Sequence, residues 1–295
     1  MLLSDFIREG TRSLGSLYPE REARGIVLML CEALLGTKSY THVVEPALEV
    51  EPAALAGLQA AMGRLLTGEP VQYVLGSADF CGYRFRVTPD VLIPRQETEQ
   101  LVGEAAARLR AMRAPQGPGA SPVRALDLCT GSGCIAWSLA LLVPGTEVVA
   151  VDLSEAALDV ARSQDFPSCA SSPLFLQADV LDTEQDFDHG LFDIIVSNPP
   201  YLMESERALM HRNVLEHEPE LALFVRDADP LVFYRAVARW SARFLAPGGC
   251  GIVEINERLG GETEAVFRSE GFPYTELIKD IFERNRFVLY SQNAL

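Results

Sequence analysis

A chain of 295 residues with 48% hydrophobic content is long and apolar enough to bury one large core or two of ordinary size. Its 41 acidic residues against 25 Lys and Arg give a formal charge of −16, which repels a phosphate backbone and argues against non-specific or direct nucleic-acid binding. No apolar run approaches the roughly 20 residues that cross a bilayer, and Asp5, Arg8 and Glu9 interrupt the start where a leader would be apolar or acid-poor, so no membrane association and a cytoplasmic location are expected.

From Leu2 to about Leu75 apolar residues recur at three-to-four spacing, as in Ile26, Leu28, Met29, Leu30 and Leu34, then Leu55, Leu58, Met62, Leu65 and Leu66. This predicts a small helical bundle, interrupted at Gly36 and at Gly68-Glu69-Pro70. Between Ser77 and Pro94 the pattern turns to alternating aromatic and β-branched residues, Phe80, Tyr83, Phe85 and Val87, with Thr88-Pro89-Asp90 as a turn, and reads as a hairpin. Glu97–Met112 is again helical, and Ala114–Pro122, rich in Pro, Gly and Ala, is expected to be a loop.

After Pro122 short apolar runs alternate with helical segments. Val123–Leu128, Glu147–Val151, Leu174–Gln177, Phe192–Ser197 and Gly251–Ile255 are the predicted strands. Such alternation predicts an α/β fold with a parallel sheet covered on both faces. Tyr274–Lys279 and Arg286–Ser291, joined by a short charged turn, suit a closing pair with one antiparallel strand.

The run Asp127-Leu128-Cys129-Thr130-Gly131-Ser132-Gly133 follows a strand and opens a helix, where glycines let the backbone turn sharply and approach a ligand. Asp152 ends the next strand 19 positions after Gly133, placed to accept hydrogen bonds from a ribose. Gly131-x-Gly133-x-x-Ala136 with Asp152 also satisfies the dinucleotide fingerprint, so NAD competes on this evidence alone. Two features favour S-adenosylmethionine. Asp127 sits where a carboxylate can hold a ligand ammonium and would repel a pyrophosphate, and Asp179, beyond the third strand and next to Val180, can meet an adenine amine.

At the end of the fourth strand stands Ser197-Asn198-Pro199-Pro200-Tyr201. Two prolines remove two backbone donors, leaving the Asn198 side-chain oxygen and the Pro199 carbonyl as acceptors for N–H groups. A planar nitrogen attacks poorly because its lone pair is delocalised. Acceptors that bind its protons restore electron density and aim it at a methyl donor, while Tyr201 can stack on the flat group. The motif predicts methylation of a planar nitrogen and by itself leaves open a protein glutamine or a nucleobase amine. The six cysteines lack metal-ligand spacing and read as reduced structural thiols, and His211 and His217 match no common metal ligand set.

With those residues in hand, the chain resembles the HemK/PrmC family, the release factor glutamine methyltransferases, over essentially its whole length. The likeness runs through Gly68-Glu69-Pro70 and Gly76, Phe80 and Phe85–Val87, and Leu92-Ile93-Pro94-Arg95-Gln96-Glu97-Thr98-Glu99. It continues through the glycine loop, Asn198–Tyr201, Glu218-Pro219 and Ala222-Leu223. It implies a seven-stranded Rossmann-like methyltransferase sheet over 96–295, an N-terminal helical bundle for substrate recognition over 1–76, and a linking hairpin over 77–95. The implied substrate is the glutamine of a Gly-Gly-Gln motif in class 1 peptide chain release factors. By position, Asp127, Cys129, Thr130, Gly131, Ser132, Gly133, Asp152, Asp179, Val180 and Asn198 would contact S-adenosylmethionine. Asn198, Pro199, Pro200 and Tyr201 would hold the glutamine, with Phe80 near its side chain and Asn198, Pro199 and Tyr201 as the catalytic set. Arg95 and Glu97 would tie the hairpin to the catalytic domain. Two departures stand out. Gln96 replaces the usual proline, and Cys129 replaces the first glycine of the loop and must fit a conformation that glycine normally adopts.

Overall fold

The computed structural model describes residues 1–113 and 121–294, so most of the loop expected over Ala114–Pro122 lies outside the described residues. The chain divides into two compact units, Met1–Ser77 with Met210–Glu218, and Ala78–Leu209 with Pro219–Leu295.

The first unit contains α1 (Leu3–Leu14), α2 (Glu20–Leu35), α3 (Thr41–Val44), α4 (Pro52–Leu65) and α5 (Val71–Leu75). Leu3, Phe6, Ile7, Gly10 and Leu14 fall on one face of α1 and are buried. They share a core with Val27 and Leu30 of α2 and Leu58 and Leu65 of α4. The apolar stripe of α2 is narrower than its composition suggests, because Met29 and Leu34 face outward and are about half exposed. Gly36 ends α2 in the left-handed region and donates its N–H to Glu32 O, which no β-carbon-bearing residue does as cheaply. After Gly68, also at positive φ, Pro70 starts α5.

The second unit begins with β1 (Ser77–Phe80) and β2 (Tyr83–Arg86), followed by α6 (Gln96–Arg113), β3 (Arg124–Leu128), α7 (Cys134–Leu142), β4 (Glu147–Asp152), α8 (Glu155–Arg162), β5 (Leu174–Gln177), β6 (Phe192–Ser197) and a two-residue strand β7 (Leu202–Met203). A 3-10 turn (Glu204–Leu209) leads to α9 (Arg212–His217), which groups with the first unit. The chain then returns as β8 (Phe224–Val225), α10 (Val232–Phe244), β9 (Leu245–Glu254), α11 (Gly260–Ser269), β10 (Tyr274–Lys279) and β11 (Asn285–Ser291).

Seven strands form one sheet in the order β10-β11-β9-β6-β3-β4-β5. β11 runs antiparallel to both neighbours and the other pairs are parallel. Ile194, Ile195 and Val196 of β6 are all fully buried, so neither sheet face is solvated. Residues of α6, α7 and α8 cover one face and residues of α10 and α11 the other. The fold is therefore the α/β sheet covered on both faces that the alternation of strands and helices predicts, with the seven strands that the resemblance implies.

Two boundaries differ from the sequence reading. The hairpin turns at Cys81-Gly82, both at positive φ, rather than at Thr88-Pro89-Asp90. The latter is a separate turn closed by Val91 N–H to Thr88 O. Strand β9 begins at Leu245, ahead of the predicted Gly251, because Pro247-Gly248-Gly249 is taken into the strand where its register with β6 shifts. Ile255 has left the ladder, although its N–H still reaches Arg286 O.

Candidate active site

The order of strands reverses between β3 and β6, and such a reversal leaves a crevice beyond the carboxyl ends of the two strands. Leu128 is in register with Ser197 on one side and with Val151 on the other, and the Ser197 hydroxyl donates to Leu128 O at 2.7 Å. The chain therefore leaves the sheet at Cys129 and at Asn198 on the same level. A cavity of about 200 Å³ opens there. Its lining includes Cys129, Thr130, Gly131, Ser132, Asp152, Asp179, Val180, Asn198 and Pro200 of the expected residues, together with Asp90–Leu92, Pro94, Arg95 and Thr98. The parallel β7–β8 ladder brings Pro219, Leu221 and Ala222 to the same wall.

The two loop glycines do different work. Gly131 has φ +53 with open space where a Cβ would stand, and its N–H donates to Asp152 Oδ2 at 2.8 Å. A Cβ on Gly133 would meet Ala161 Cβ at 3.0 Å and the Phe175 ring at 3.1 Å. Gly133 is absent from the cavity wall, so it serves helix-to-strand packing rather than ligand approach. Cys129 adopts φ +62, the conformation expected of the residue that replaces a glycine. A left-handed β-carbon-bearing residue costs roughly 1 kcal/mol, and glycine would lose about as much again in chain entropy, so the exchange is nearly neutral. Gln96, the other departure, is the first residue of α6, where proline is favoured only because its N–H is surplus.

The cavity is negative. Asp90, Asp152 and Asp179 line it against the single base Arg95 among the described lining residues. Asp127 lies just beneath, fully buried, its Oδ2 taking the Thr130 hydroxyl at 2.6 Å. Among the described residues no donor completes a hydrogen bond to its Oδ1, although the Ala136 N–H bears on the carboxylate. Burial pushes Asp127 up to about 7, against the Thr130 bond that lowers it and with Asp152 raising it further. Burial also raises Asp152, whose bonds from the Ser154 and Gly131 amides pull the other way. Asp179 accepts the Leu181 N–H in a tight turn while lining the wall, so its turn-forming and wall-lining positions coincide. The Trp240 indole, donating to Val180 O at 3.0 Å, fixes that segment from the opposite face.

Asn198 donates through Nδ2 to Thr98 Oγ1 at 3.2 Å. Thr98 donates to Glu254 Oε2 at 2.7 Å, and Tyr201 donates to Glu254 Oε1 at 3.0 Å. Because the Asn198 amide nitrogen is engaged on Thr98, the oxygen of this wall residue is left as an acceptor. Neither Thr98 nor Glu254 is among the site residues that the sequence predicts. The one available signal was a carboxylate at the end of an otherwise apolar strand, Gly251-Ile252-Val253-Glu254.

Other expected residues sit elsewhere. Phe80, placed beside a substrate side chain by resemblance, is 1% exposed and packs edge-on against Phe85 at 6.0 Å. It belongs to the core beneath the hairpin and is absent from the cavity wall. Pro199 is buried, and neither it nor Tyr201 lines the cavity. The hairpin's ties run through Glu99, which accepts the Cys81 N–H, and through Gln164, which bonds both the N–H and C=O of Arg86 and also Ser132 O. Gln164 thus couples hairpin and glycine loop. Glu206 accepts the Met203 N–H and the Asn256 side-chain amide. An acidic cavity with one outward amide oxygen suits a cationic cofactor and a substrate that presents N–H groups.

Comparison with known proteins gives two family matches, the PrmC N-terminal domain over residues 5–76 and the methyltransferase small domain over residues 115–221. A release factor glutamine methyltransferase of Bacteroides thetaiotaomicron is 37% identical, with 97% of this chain and 98% of the relative covered. One of Flavobacterium psychrophilum is 36% identical, with 98% of each covered. Among solved structures, a methyltransferase from Pyrococcus furiosus superposes with a TM-score of 0.50 at 14% identity, covering 80% of this chain and all of that one.

Proposed function

Because the chain belongs to the release factor glutamine methyltransferase family, we propose that it methylates the side-chain amide nitrogen of the glutamine in the Gly-Gly-Gln motif of class 1 peptide chain release factors, with S-adenosylmethionine as donor. The enzyme is a methyltransferase dependent on that donor. When bound, S-adenosylmethionine supplies an electrophilic methyl group. The observation that carries the reading is Asn198, a residue of the cavity wall whose amide nitrogen is engaged on Thr98, which leaves its oxygen as an acceptor. There it would take one N–H of the glutamine amide, orient the nitrogen and draw density onto it. The nitrogen sheds a proton readily after transfer, so no strong base is required before it.

Support for this donor over a dinucleotide comes from charge. Asp152 and Asp179 line the cavity, and buried Asp127 is bonded to Thr130 of the same wall, so three carboxylates bear on one site. A pyrophosphate is repelled there, whereas an ammonium and a sulfonium are attracted. Asp127 Oδ1, buried without a partner, fits a cation brought by the ligand. Asp152 would hold the ribose, and Thr130 to Ser132 with Asp179 and Val180 the rest of the cofactor.

This fit predicts a pH dependence. Only ionised Asp127 attracts an ammonium, and its proton is lost near pH 7. Affinity for S-adenosylmethionine should therefore rise by roughly fivefold to tenfold between pH 6 and 7.5, following the ionised fraction. Stability of the free protein moves oppositely. A carboxyl raised by folding stabilises the fold fully below its unfolded value near 4, and that contribution is lost as pH rises through about 7. Asp127→Asn should weaken cofactor binding by about 10- to 100-fold, the scale of a charged hydrogen bond, and raise the melting temperature of the free protein at pH 8. Calorimetry and thermal melts at the two pH values check both; a flat affinity profile would remove Asp127 from the cofactor site.

Mass spectrometry of the Gly-Gly-Gln peptide, after incubating the intact release factor with enzyme and methyl-labelled donor, tests the substrate. The expected result is a gain of one methyl on the glutamine. No gain, or transfer only to DNA or RNA, overturns the reading.

No helix among the described residues is long and apolar enough to cross a membrane.

A further inference from the structure

Glu254 lies at the end of β9, 1% exposed, and has no place on the cavity wall. Its carboxylate accepts two hydroxyl donors, Thr98 at 2.7 Å and Tyr201 at 3.0 Å. Burial raises the Glu254 carboxyl above its ordinary value, while the bonds from Thr98 and Tyr201, and nearby Arg286, itself paired with buried Asp280 at 3.0 Å, pull the other way toward the charged form. A buried carboxyl among apolar strands costs several kcal/mol unless it is bonded, and its position here is not explained by packing.

The consequence follows from counting protons. A hydroxyl has one proton and two acceptor sites. If Glu254 is an acceptor at both oxygens, the single Thr98 proton points to Glu254 and the Thr98 oxygen can only accept from Asn198. The Asn198 amide must then present its NH₂ to Thr98 and its oxygen to the cavity. Among the described residues, the bond to Thr98 is what distinguishes the two ends of the Asn198 amide. Reversal of the Thr98 hydroxyl would let the amide flip, presenting a donor to a substrate nitrogen that itself carries only N–H groups.

We propose that Glu254 is a positioning residue which, through Thr98, fixes the direction of the Asn198 amide and so makes that side chain an acceptor for the substrate. This deepens the function proposed above and rests on it for the meaning of the acceptor, though the relay itself can be read without substrate. Tyr201, whose hydroxyl is held protonated by burial and by the adjacent carboxylate, keeps the second Glu254 oxygen in its accepting role.

Three variants separate positioning from general support. In Glu254→Gln one acceptor oxygen replaces two, so Thr98 and Tyr201 can no longer both donate, and an NH₂ turned to Thr98 sends the Thr98 proton toward Asn198. Thr98→Val removes the hydroxyl and keeps the shape, and Thr98→Ser restores the hydroxyl. With release factor as substrate, Glu254→Gln and Thr98→Val should lose kcat by about 10- to 100-fold, as for loss of one positioned polar contact, with KM and cofactor affinity little changed. Thr98→Ser should recover most of it. The chain has five asparagines, so selective ¹⁵N-asparagine labelling gives five side-chain amide pairs. The pair belonging to Asn198, assigned by its loss in Asn198→Ala, should shift in Glu254→Gln and in Thr98→Val and return in Thr98→Ser. An unmoved Asn198 signal in both variants overturns the relay, as does Thr98→Ser behaving like Thr98→Val. Failure of wild-type enzyme to methylate the factor, with the Asn198 signal still responding to Glu254→Gln, counts against the substrate and leaves the relay supported.

Discussion

Asn198→Ala is expected to lower turnover by about 10²- to 10³-fold, the range found when one preorganised polar group is removed from a reacting centre, while affinity for S-adenosylmethionine changes little. The substitution deletes the acceptor oxygen of a wall residue and leaves the Thr98 hydroxyl, still bonded to Glu254, without its Asn198 partner. Asn198→Gln makes the stricter test. It keeps an amide but carries it one methylene farther from the backbone, and a displacement of about 1 Å at the reacting atoms is worth roughly 10²-fold. It should fail nearly as badly as alanine. Single-turnover rates with bound donor, set beside calorimetric affinities, check both variants; near-normal turnover in either would contradict the acceptor role.

Gly251→Ala should be the most destabilising single change in the sheet that can be made by adding one methyl. Gly251 in β9 is in register with Ile195 of β6 and with Tyr290 of β11. A Cβ there would lie 2.1 Å from Tyr290 Cζ and 2.2 Å from its hydroxyl. The ring cannot give way easily. It stacks on Phe267 with centroids 3.9 Å apart, meets Phe272 edge-on at 5.1 Å, and its hydroxyl is 2.7 Å from Ser241 Oγ in a fully buried setting. Overpacking of this kind costs about 1–3 kcal/mol or more, and the absence of any yielding neighbour puts this site at the upper end. A fall in melting temperature of roughly 6–12 °C follows for a unit of this size. Adding Tyr290→Leu removes the clashing atoms, so the double variant should be less destabilised than the sum of the singles. Additive losses would show that the clash is relieved by some other movement.

Strands β5 and β6 were legible to the residue, since Leu174–Gln177 and Phe192–Ser197 are short apolar runs flanked by polar or proline-containing segments. The hairpin was legible as a hairpin but its turn was misplaced. Thr-Pro-Asp is the stronger local turn signal, whereas Cys81 at positive φ is held there by Glu99, a helix residue 18 positions later. Local chemistry carries no trace of such a partner. Phe80 shows a related limit: an aromatic in a strand packs on a core or faces a ligand with the same sequence pattern, and only its contact with Phe85 decides between them. The wall around Gly131, Asp152 and Asn198 was readable because strand ends converge wherever strand order reverses. Thr98 and Glu254 were not, because their meaning lies in a chain of hydrogen bonds joining α6, β6 and β9, segments up to 156 residues apart.

The register of Leu128 with Ser197 bears on how such an enzyme can change its substrate. The loop assigned to the methyl donor and the loop assigned to the acceptor nitrogen spring from adjacent strands, whose spacing of about 4.8 Å is set by backbone hydrogen bonds rather than by side chains. That spacing is a fixed ruler. Inserting one residue into β3 or β6 would turn every following side chain to the wrong face. Residues in the surrounding segments, Pro219 to Ala222 and Asp90 to Arg95, can be exchanged without altering it. Substrate selectivity and transfer distance are therefore separable traits, free to vary independently.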